Sequence, residues 1–147
     1  MKIRILLVSC IAAICITGFS QKAVHHKGDK ALLAIIDKNM AEAAAQYNYM
    51  SQNLPADKFP KTFFPITGKY EFSNAGWWCS GFYPGTLFYL YQQTNDNALR
   101  NEGLRMLELL KKEQFNTGTH DLGFMMYCSF GNANIIQPSN AYKEVLL

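Results

Sequence analysis

The segment from Phe72 to Asn95 most constrains the fold, because it has no charged residue while eight of its 24 positions are aromatic. Such a stretch is either buried or lines a pocket. Pro84 suits the first position of a helix, and residues 85–94 then form a short helix that is apolar on nearly every side. The segment therefore predicts an inner helix that other helices cover.

Two amphipathic helices are predicted on either side of it. Asp29 is a candidate N-cap for a helix over residues 30–52, whose apolar positions recur every three or four residues: Leu32, Ile36, Met40, Ala43, Tyr47 and Met50. Residues 98–114 form the second, with inward positions Leu99, Met106, Leu107 and Leu110. Residues 84–114 are thus an αα-hairpin with one buried helix and one half-exposed helix.

The remaining segments carry weaker patterns. Residues 55–68 contain three prolines and no period, which predicts an extended loop. Gly118, Gly123 and Gly131 indicate an irregular region, and residues 141–147 begin another helix. No β-alternation of useful length is present. The pattern predicts an all-α fold, either a double-layered α/α toroid or another α-helical solenoid.

The first twenty residues have the pattern of a signal peptide. Lys2 and Arg4 precede an apolar run to Ile16, and small residues follow before Gln21. The run is shorter than the roughly 20 residues of a membrane span, so cleavage after Ser20 is expected and a periplasmic or secreted product follows. Lipidation of Cys10 is the less favoured alternative, because few apolar residues precede that cysteine.

Composition excludes several kinds of partner. Removal of residues 1–20 lowers the formal charge from +3 to +1, which leaves no basic surface for nucleic acid or membrane. Cys79 and Cys128 remain, and two buried free thiols are favoured over a disulfide. Neither a Cys-x-x-Cys nor a His-x-x-x-His spacing occurs, so no metal site is expected.

His120 and Asp121 lie between Glu113 and Lys143, in a region with no other Asp, Glu, Lys, Arg or His. If Asp121 is buried among its apolar neighbours, its pKa rises, which suits a proton donor near neutral pH. The alternative is a purely local role, in which the carboxylate caps a backbone N–H at a turn.

Trp77 and Trp78 lie just before the inner helix, at one mouth of the helix layer. The apolar face of a sugar ring stacks on such rings, although core packing is an equally common role for tryptophan. One of the two tryptophans is expected to serve each purpose.

These motifs resemble unsaturated glucuronyl hydrolases, glycoside hydrolase family 88. The resemblance rests on the phrase from Trp78 to Gly85, the following helical hairpin, and the phrase from Thr119 to Phe124, in that order. It implies an (α/α)6 toroid and a substrate that ends in a 4,5-unsaturated uronic acid. The implied reaction differs from ordinary glycoside hydrolysis, because an acid protonates C4, water adds at C5, and the hemiketal opens.

The resemblance also assigns roles to three residues. Asp121 matches one of two active-site aspartates, His120 a neighbour that binds substrate, and Trp78 an aromatic residue of the sugar-binding subsite. The second aspartate belongs to a later hairpin and is absent from this sequence. Neither a metal nor an organic cofactor is implied.

Length indicates that the toroid is incomplete. Twelve helices of about 11 residues with connections of about five need roughly 190 residues, whereas residues 21–147 number 127. We therefore expect the N-terminal portion of such an enzyme, inactive or nearly so alone. The alternatives are an unsaturated rhamnogalacturonyl hydrolase of the same fold and a non-catalytic exported α-helical module that binds carbohydrate or protein.

Overall fold

The computed structural model describes residues 28–147, so the predicted signal peptide at residues 1–20 and the alternative at Cys10 lie outside the described residues. The elements in chain order are α1 Lys30–Asn53, β1 Phe59–Phe64, β2 Lys69–Ser73, α2 Phe82–Thr94, α3 Asn97–Leu110, a 3₁₀ turn Lys111–Phe115, α4 Leu122–Met126, a π-helical turn Tyr127–Gly131, α5 Asn132–Ile136 and α6 Asn140–Leu146. Helices dominate, as the sequence predicted.

Helix α1 begins where its N-cap was predicted, because the Asp29 carboxylate accepts a hydrogen bond from the Ala31 N–H at 2.8 Å. Its second half packs on the core through Met40, Ala43, Tyr47 and Met50. Leu32 and Ile36 are 55% and 43% exposed, so the prediction that they face inward is wrong. The first two turns of α1 therefore do not pack against the core of residues 28–147.

A β-hairpin replaces most of the predicted loop. Strands β1 and β2 pair antiparallel, with an irregularity between Pro60 and Thr62, where proline has no N–H to donate. Gly68 closes the turn with φ +63° and donates to the Phe64 carbonyl oxygen. The prediction missed this hairpin because β1 has no polar–apolar alternation and contains Pro60. Strand β2 does alternate, but over only five residues, and residues 61–70 are all exposed.

Helices α2 and α3 form the predicted αα-hairpin and carry eight of the 17 buried core residues. Helix α2 begins at Phe82 rather than Gly85, so Pro84 is the third helical residue, still within the first turn where its missing N–H costs nothing. On α3 the four predicted inward residues are buried, and Gly103 brings that helix against the ring of Phe88. The inner helix is therefore covered as expected.

The region that glycines marked as irregular is mostly helical. Residues 122–136 run through α4, the π-helical turn and α5 without a break, and bury Met125, Met126, Phe130 and Ala133. Gly123 and Gly131 lie inside this run, since packing against α2 overrides their low helix propensity. Helix α6 follows close to its predicted position and adds Val145 to the core. None of the helices described is long and apolar enough to cross a bilayer.

Candidate active site

Asp121 lies at the end of the loop that leads into α4. Its backbone N–H donates to Thr119 Oγ1 at 3.1 Å, and its carbonyl oxygen accepts from the N–H groups of Phe124 and Met125. The backbone is thus held on both sides. Within the described residues the carboxylate itself caps no backbone N–H of α4, so the alternative of a capping role is wrong.

The Asp121 side chain is partly buried, with 24% of its surface exposed. Met125 and Met126 lie in the core one turn further on, whereas Phe124 and Tyr127 are more than half exposed. The carboxylate is therefore neither fully buried nor fully exposed, and two of the apolar neighbours expected to enclose it face solvent.

His120 is placed beside Asp121 but outside the packed part of the protein. Its Nε2 lies 3.4 Å from Asp121 Oδ2, while 94% of the imidazole surface is exposed. The contact is an ion pair only when the imidazole is protonated. Nothing among residues 28–147 covers this side chain, so it is free to donate a hydrogen bond to a ligand near the carboxylate.

The indole of Trp78 contacts two phenylalanine rings, and one of them, Phe124, belongs to the segment that carries Asp121. This indole is 46% exposed and makes edge contacts with Phe82 and Phe124, each with ring centroids 6.2 Å apart. We call Trp78, Phe82 and Phe124 the aromatic cluster. Because Phe124 follows Asp121 by three residues, the cluster joins the two motifs on which the resemblance rests.

The pKa of the Cys79 thiol, next to Trp78 in the chain, is raised by two causes. Burial is the larger cause that raises the pKa of the Cys79 thiol, and the negative charge of Asp121 raises it further. A carboxylate exerts this effect only at short range. The contact of the Trp78 ring with Phe124, three residues after Asp121, independently brings the two motifs together.

Two glycines of the first motif allow this approach. A Cβ on Gly81 would collide with the carbonyl oxygens of Phe124 and Met125, and one on Gly85 with that of Cys128. The start of α2 therefore packs directly on the backbone of α4 and the π-helical turn. Close backbone contact of this kind is a main use of glycine.

Sequence reasoning missed part of the site. Phe82 and Phe124 stood inside the quoted motifs, yet nothing in the pattern showed that their rings would meet Trp78. Cys79 was noted only as a thiol. Both Cys79 and Cys128 are free and partly buried, in agreement with the favoured alternative. No group of three or more potential metal-ligating side chains occurs within residues 28–147.

The arrangement places a carboxyl group and an imidazole at the edge of an aromatic surface. A carboxyl group exchanges protons with a bound molecule, and aromatic rings orient the apolar face of a sugar. Such a site is suited to acid–base chemistry on a carbohydrate.

Comparison with known proteins supports this interpretation. No protein-family profile matches the chain. An unsaturated glucuronyl hydrolase from Formosa agariphila is 37% identical over 71 residues, which is 48% of this chain and 18% of the relative. A solved structure of an unsaturated glucuronyl hydrolase specific for heparin matches 75% of this chain at 34% identity, with a TM-score of 0.68.

The chain is similar in sequence and in fold to unsaturated glucuronyl hydrolases. The predicted resemblance is therefore confirmed. The predicted fold class is also confirmed, since the unsaturated glucuronyl hydrolase that matches in structure is an (α/α)6 toroid. The chain spans 29% of that structure and 18% of the Formosa agariphila protein.

Proposed function

We propose that this chain supplies part of the active site of a hydrolase that removes a terminal 4,5-unsaturated uronic acid from acidic oligosaccharides. The observation that carries the proposal is the position of Asp121. Its carboxyl group is partly buried, caps no helix, and lies three residues before Phe124, whose ring contacts Trp78. Both relatives bear the name of this activity.

In the proposed reaction, Asp121 donates its proton to C4 of the unsaturated ring. The C4=C5 electron pair forms the new C–H bond, and positive charge develops at C5 and the ring oxygen. Water then adds at C5 and returns a proton to the carboxylate. The product is a hemiketal at C5, whose bond to the ring oxygen opens to give a ketone at C5 and a hemiacetal at C1. That hemiacetal collapses to an aldehyde, which breaks the C1–O bond and releases the neighbouring sugar as an alcohol.

The other two residues orient the substrate. The half-exposed indole of Trp78 stacks on the apolar face of the unsaturated ring, since sugar C–H groups pack well on such a surface. The exposed imidazole of His120, next to the carboxylate, donates a hydrogen bond to a substrate oxygen. Neither role requires a bound metal.

The test is turnover by the full-length hydrolase of a lyase-generated unsaturated disaccharide, followed as loss of absorbance from its conjugated double bond. We expect Asp121→Asn to lower kcat by at least about a thousandfold, because the amide cannot donate the proton. Asp57→Asn is the matched control, since Asp57 is an exposed carboxylate that, among residues 28–147, forms an ion pair with its neighbour Lys58 alone. Full activity of Asp121→Asn would show that another group protonates C4.

A substrate panel distinguishes the related activity. We expect turnover of unsaturated disaccharides from glycosaminoglycans. Turnover limited to unsaturated rhamnogalacturonan disaccharides would assign the chain to the other hydrolase of the same fold.

Export is part of the same proposal. Lyase products of large polysaccharides arise outside the cytoplasm, where a protein with a signal peptide at residues 1–20 would meet them. The first residue of the mature protein, read by mass spectrometry of protein from the periplasm, is expected to be Gln21. An intact Met1 on mature protein would contradict this.

A further inference from the structure

A cleft of about 330 Å³ lies between α1, the β-hairpin and the start of α2. Aromatic rings form most of its wall, from Tyr47 on α1, Phe63 and Tyr70 on the hairpin, and Trp77 and Phe82 beside α2. Neither Trp78 nor Asp121 lines it. The cleft is therefore separate from the candidate active site, although Phe82 borders both.

Lys61 supplies a cation at this cleft. Its Nζ lies 5.9 Å from the centroid of the Trp77 ring, and the ammonium group also pairs with Glu71 on the neighbouring strand. Both side chains of that pair are more than a third exposed, so the pair contributes only about 0–1 kcal/mol. An anionic ligand therefore competes with Glu71 at little cost.

Ser80 supplies a polar group that the described residues leave unpaired. The residue is 1% exposed and lines the cleft. Its hydroxyl oxygen has no hydrogen-bond partner among residues 28–147. Leaving a buried hydroxyl unpaired costs about 1–3 kcal/mol, so an unpaired hydroxyl at a cleft wall indicates a place for a ligand atom.

A second depression, of about 480 Å³, adjoins the cleft. Lys61 and Trp77 line both, and the second contains Ser73, whose hydroxyl is likewise buried without a partner among the described residues. Trp77 and Lys61 are thus shared by two neighbouring depressions, each with a hydroxyl unpaired among the described residues, Ser80 in one and Ser73 in the other. This arrangement suits a ligand with several acidic sugar units better than a single small molecule.

We propose that this cleft binds one acidic sugar unit of an oligosaccharide. The apolar face of the pyranose ring lies on Trp77, its carboxylate or sulfate pairs with Lys61, and a ring hydroxyl bonds to Ser80. The choice of an acidic sugar rests on the proposed function. Since Phe82 borders both the cleft and the aromatic cluster, the sugar in the cleft belongs to the same oligosaccharide as the unit at Trp78.

Fluorescence is measured on the 147-residue chain, in which Trp77 and Trp78 are the two tryptophans, so each site is observed separately. In the Trp78→Phe protein the remaining indole, Trp77, reports on the cleft, and in the Trp77→Phe protein Trp78 reports on the candidate active site. The probe is a saturated tetrasaccharide of alternating glucuronic acid and N-acetylglucosamine. It has no C4=C5 double bond, so its binding does not depend on hydration.

We expect saturable quenching of Trp77 fluorescence. In the Trp78→Phe background, Lys61→Met should raise Kd by about tenfold through loss of the charge-assisted contact. Lys69→Met is the matched control, because Lys69 lies on the same hairpin but lines neither depression, and it should leave Kd unchanged. Glu71→Gln should lower Kd, since it frees Lys61.

Ser80→Ala separates ligand binding from a structural role. Removal of an unpaired buried hydroxyl should leave thermal stability unchanged or raise it, while Kd for the tetrasaccharide rises by about threefold or more. Equal Kd values for the Lys61→Met and Lys69→Met proteins would overturn the proposal. So would quenching confined to the Trp77→Phe protein. If the full-length hydrolase shows no hydration activity while the cleft still binds the tetrasaccharide, the proposed function alone is overturned.

Discussion

The indole of Trp78 contacts the ring of Phe124 edge to face, with centroids 6.2 Å apart and planes at 71°. This contact joins a segment before the inner helix α2 to a segment at the start of α4. Edge-to-face geometry lets the positive rim of one ring meet the negative face of the other. Nearly half of the indole surface stays exposed.

Trp78→Ala is expected to weaken substrate binding more than chemistry. Loss of the stacking surface should raise KM for the unsaturated disaccharide about tenfold, equivalent to ~1.4 kcal/mol, with a smaller fall in kcat. Trp78→Phe should retain most of the affinity. Tyr49→Ala, at an exposed position on α1, is the control. Steady-state kinetics of the full-length hydrolase provide the measurement, and an unchanged KM for Trp78→Ala would remove that indole from the binding site.

Gly85→Ala is expected to destabilise the protein by about 2–3 kcal/mol, as overpacked core positions do. The added methyl group would collide with the Cys128 carbonyl oxygen, which belongs to the backbone and has little room to move. Chemical denaturation followed by circular dichroism gives the free energy of unfolding.

Gly123→Ala is the control for that substitution. Gly123 also lies in a helix, yet no described atom stands within 4 Å of its added Cβ. Higher helix propensity should then raise stability by about 0.5–1 kcal/mol. Equal effects of the two substitutions would contradict the close packing of α2 on the π-helical turn.

The pH dependence of cysteine alkylation tests the nearness of Asp121 to Cys79. Iodoacetamide reacts with the thiolate, and burial together with the Asp121 charge raises the pKa of the Cys79 thiol. Asp121→Asn removes one of the two causes, so the Cys79 pKa falls. Below that pKa the alkylation rate should rise by roughly two- to fivefold.

Cys128 is the internal control in the same experiment. Burial alone raises the pKa of its thiol, so Asp121→Asn should leave its alkylation profile where it was. Peptide mass spectrometry over pH 7 to 10 measures both cysteines in one sample. A Cys79 profile that does not move would mean that the carboxylate lies elsewhere.

Arg105→Met is expected to destabilise the protein by about 1–3 kcal/mol, because it leaves the Glu102 carboxylate with little solvent and no cation. Arg105 binds both oxygens of Glu102 at 2.7 Å and also donates to the Ala56 carbonyl oxygen. Burial, and next the charge of Glu102, raises the pKa of Tyr83, which stays protonated and donates to Glu102.

The Glu102→Met/Arg105→Met double variant should lose less stability than the two single variants together, since removing both charges leaves neither one unpaired. Lys38→Met is the control, because its pair with Glu42 is highly exposed and should contribute about 0–0.5 kcal/mol. Strictly additive losses from the two single variants, measured by thermal denaturation, would contradict the coupling.

Much of the architecture was predictable because helical burial repeats along the chain. The interval of three to four residues located α1 and α3, and the uncharged aromatic segment identified α2 as the inner helix. Asp121, His120 and Trp78 were recognisable from two short phrases. Each of these features depends on neighbours within one element, so the sequence alone reveals it.

The sequence by itself determined the positions of α1, α2, α3 and α6, the buried positions of α3, and which residues are candidates for the site. Only the tertiary structure decided that Phe124 meets Trp78, that Asp121 approaches Cys79, that glycine-containing residues 122–136 are helical, and that a hairpin forms one wall of a cleft with Lys61 and Ser80. The physical reason is the separation along the chain of the residues on which each feature depends. Burial periodicity is local, whereas these contacts depend on how two distant backbones pack, here through Gly81 and Gly85.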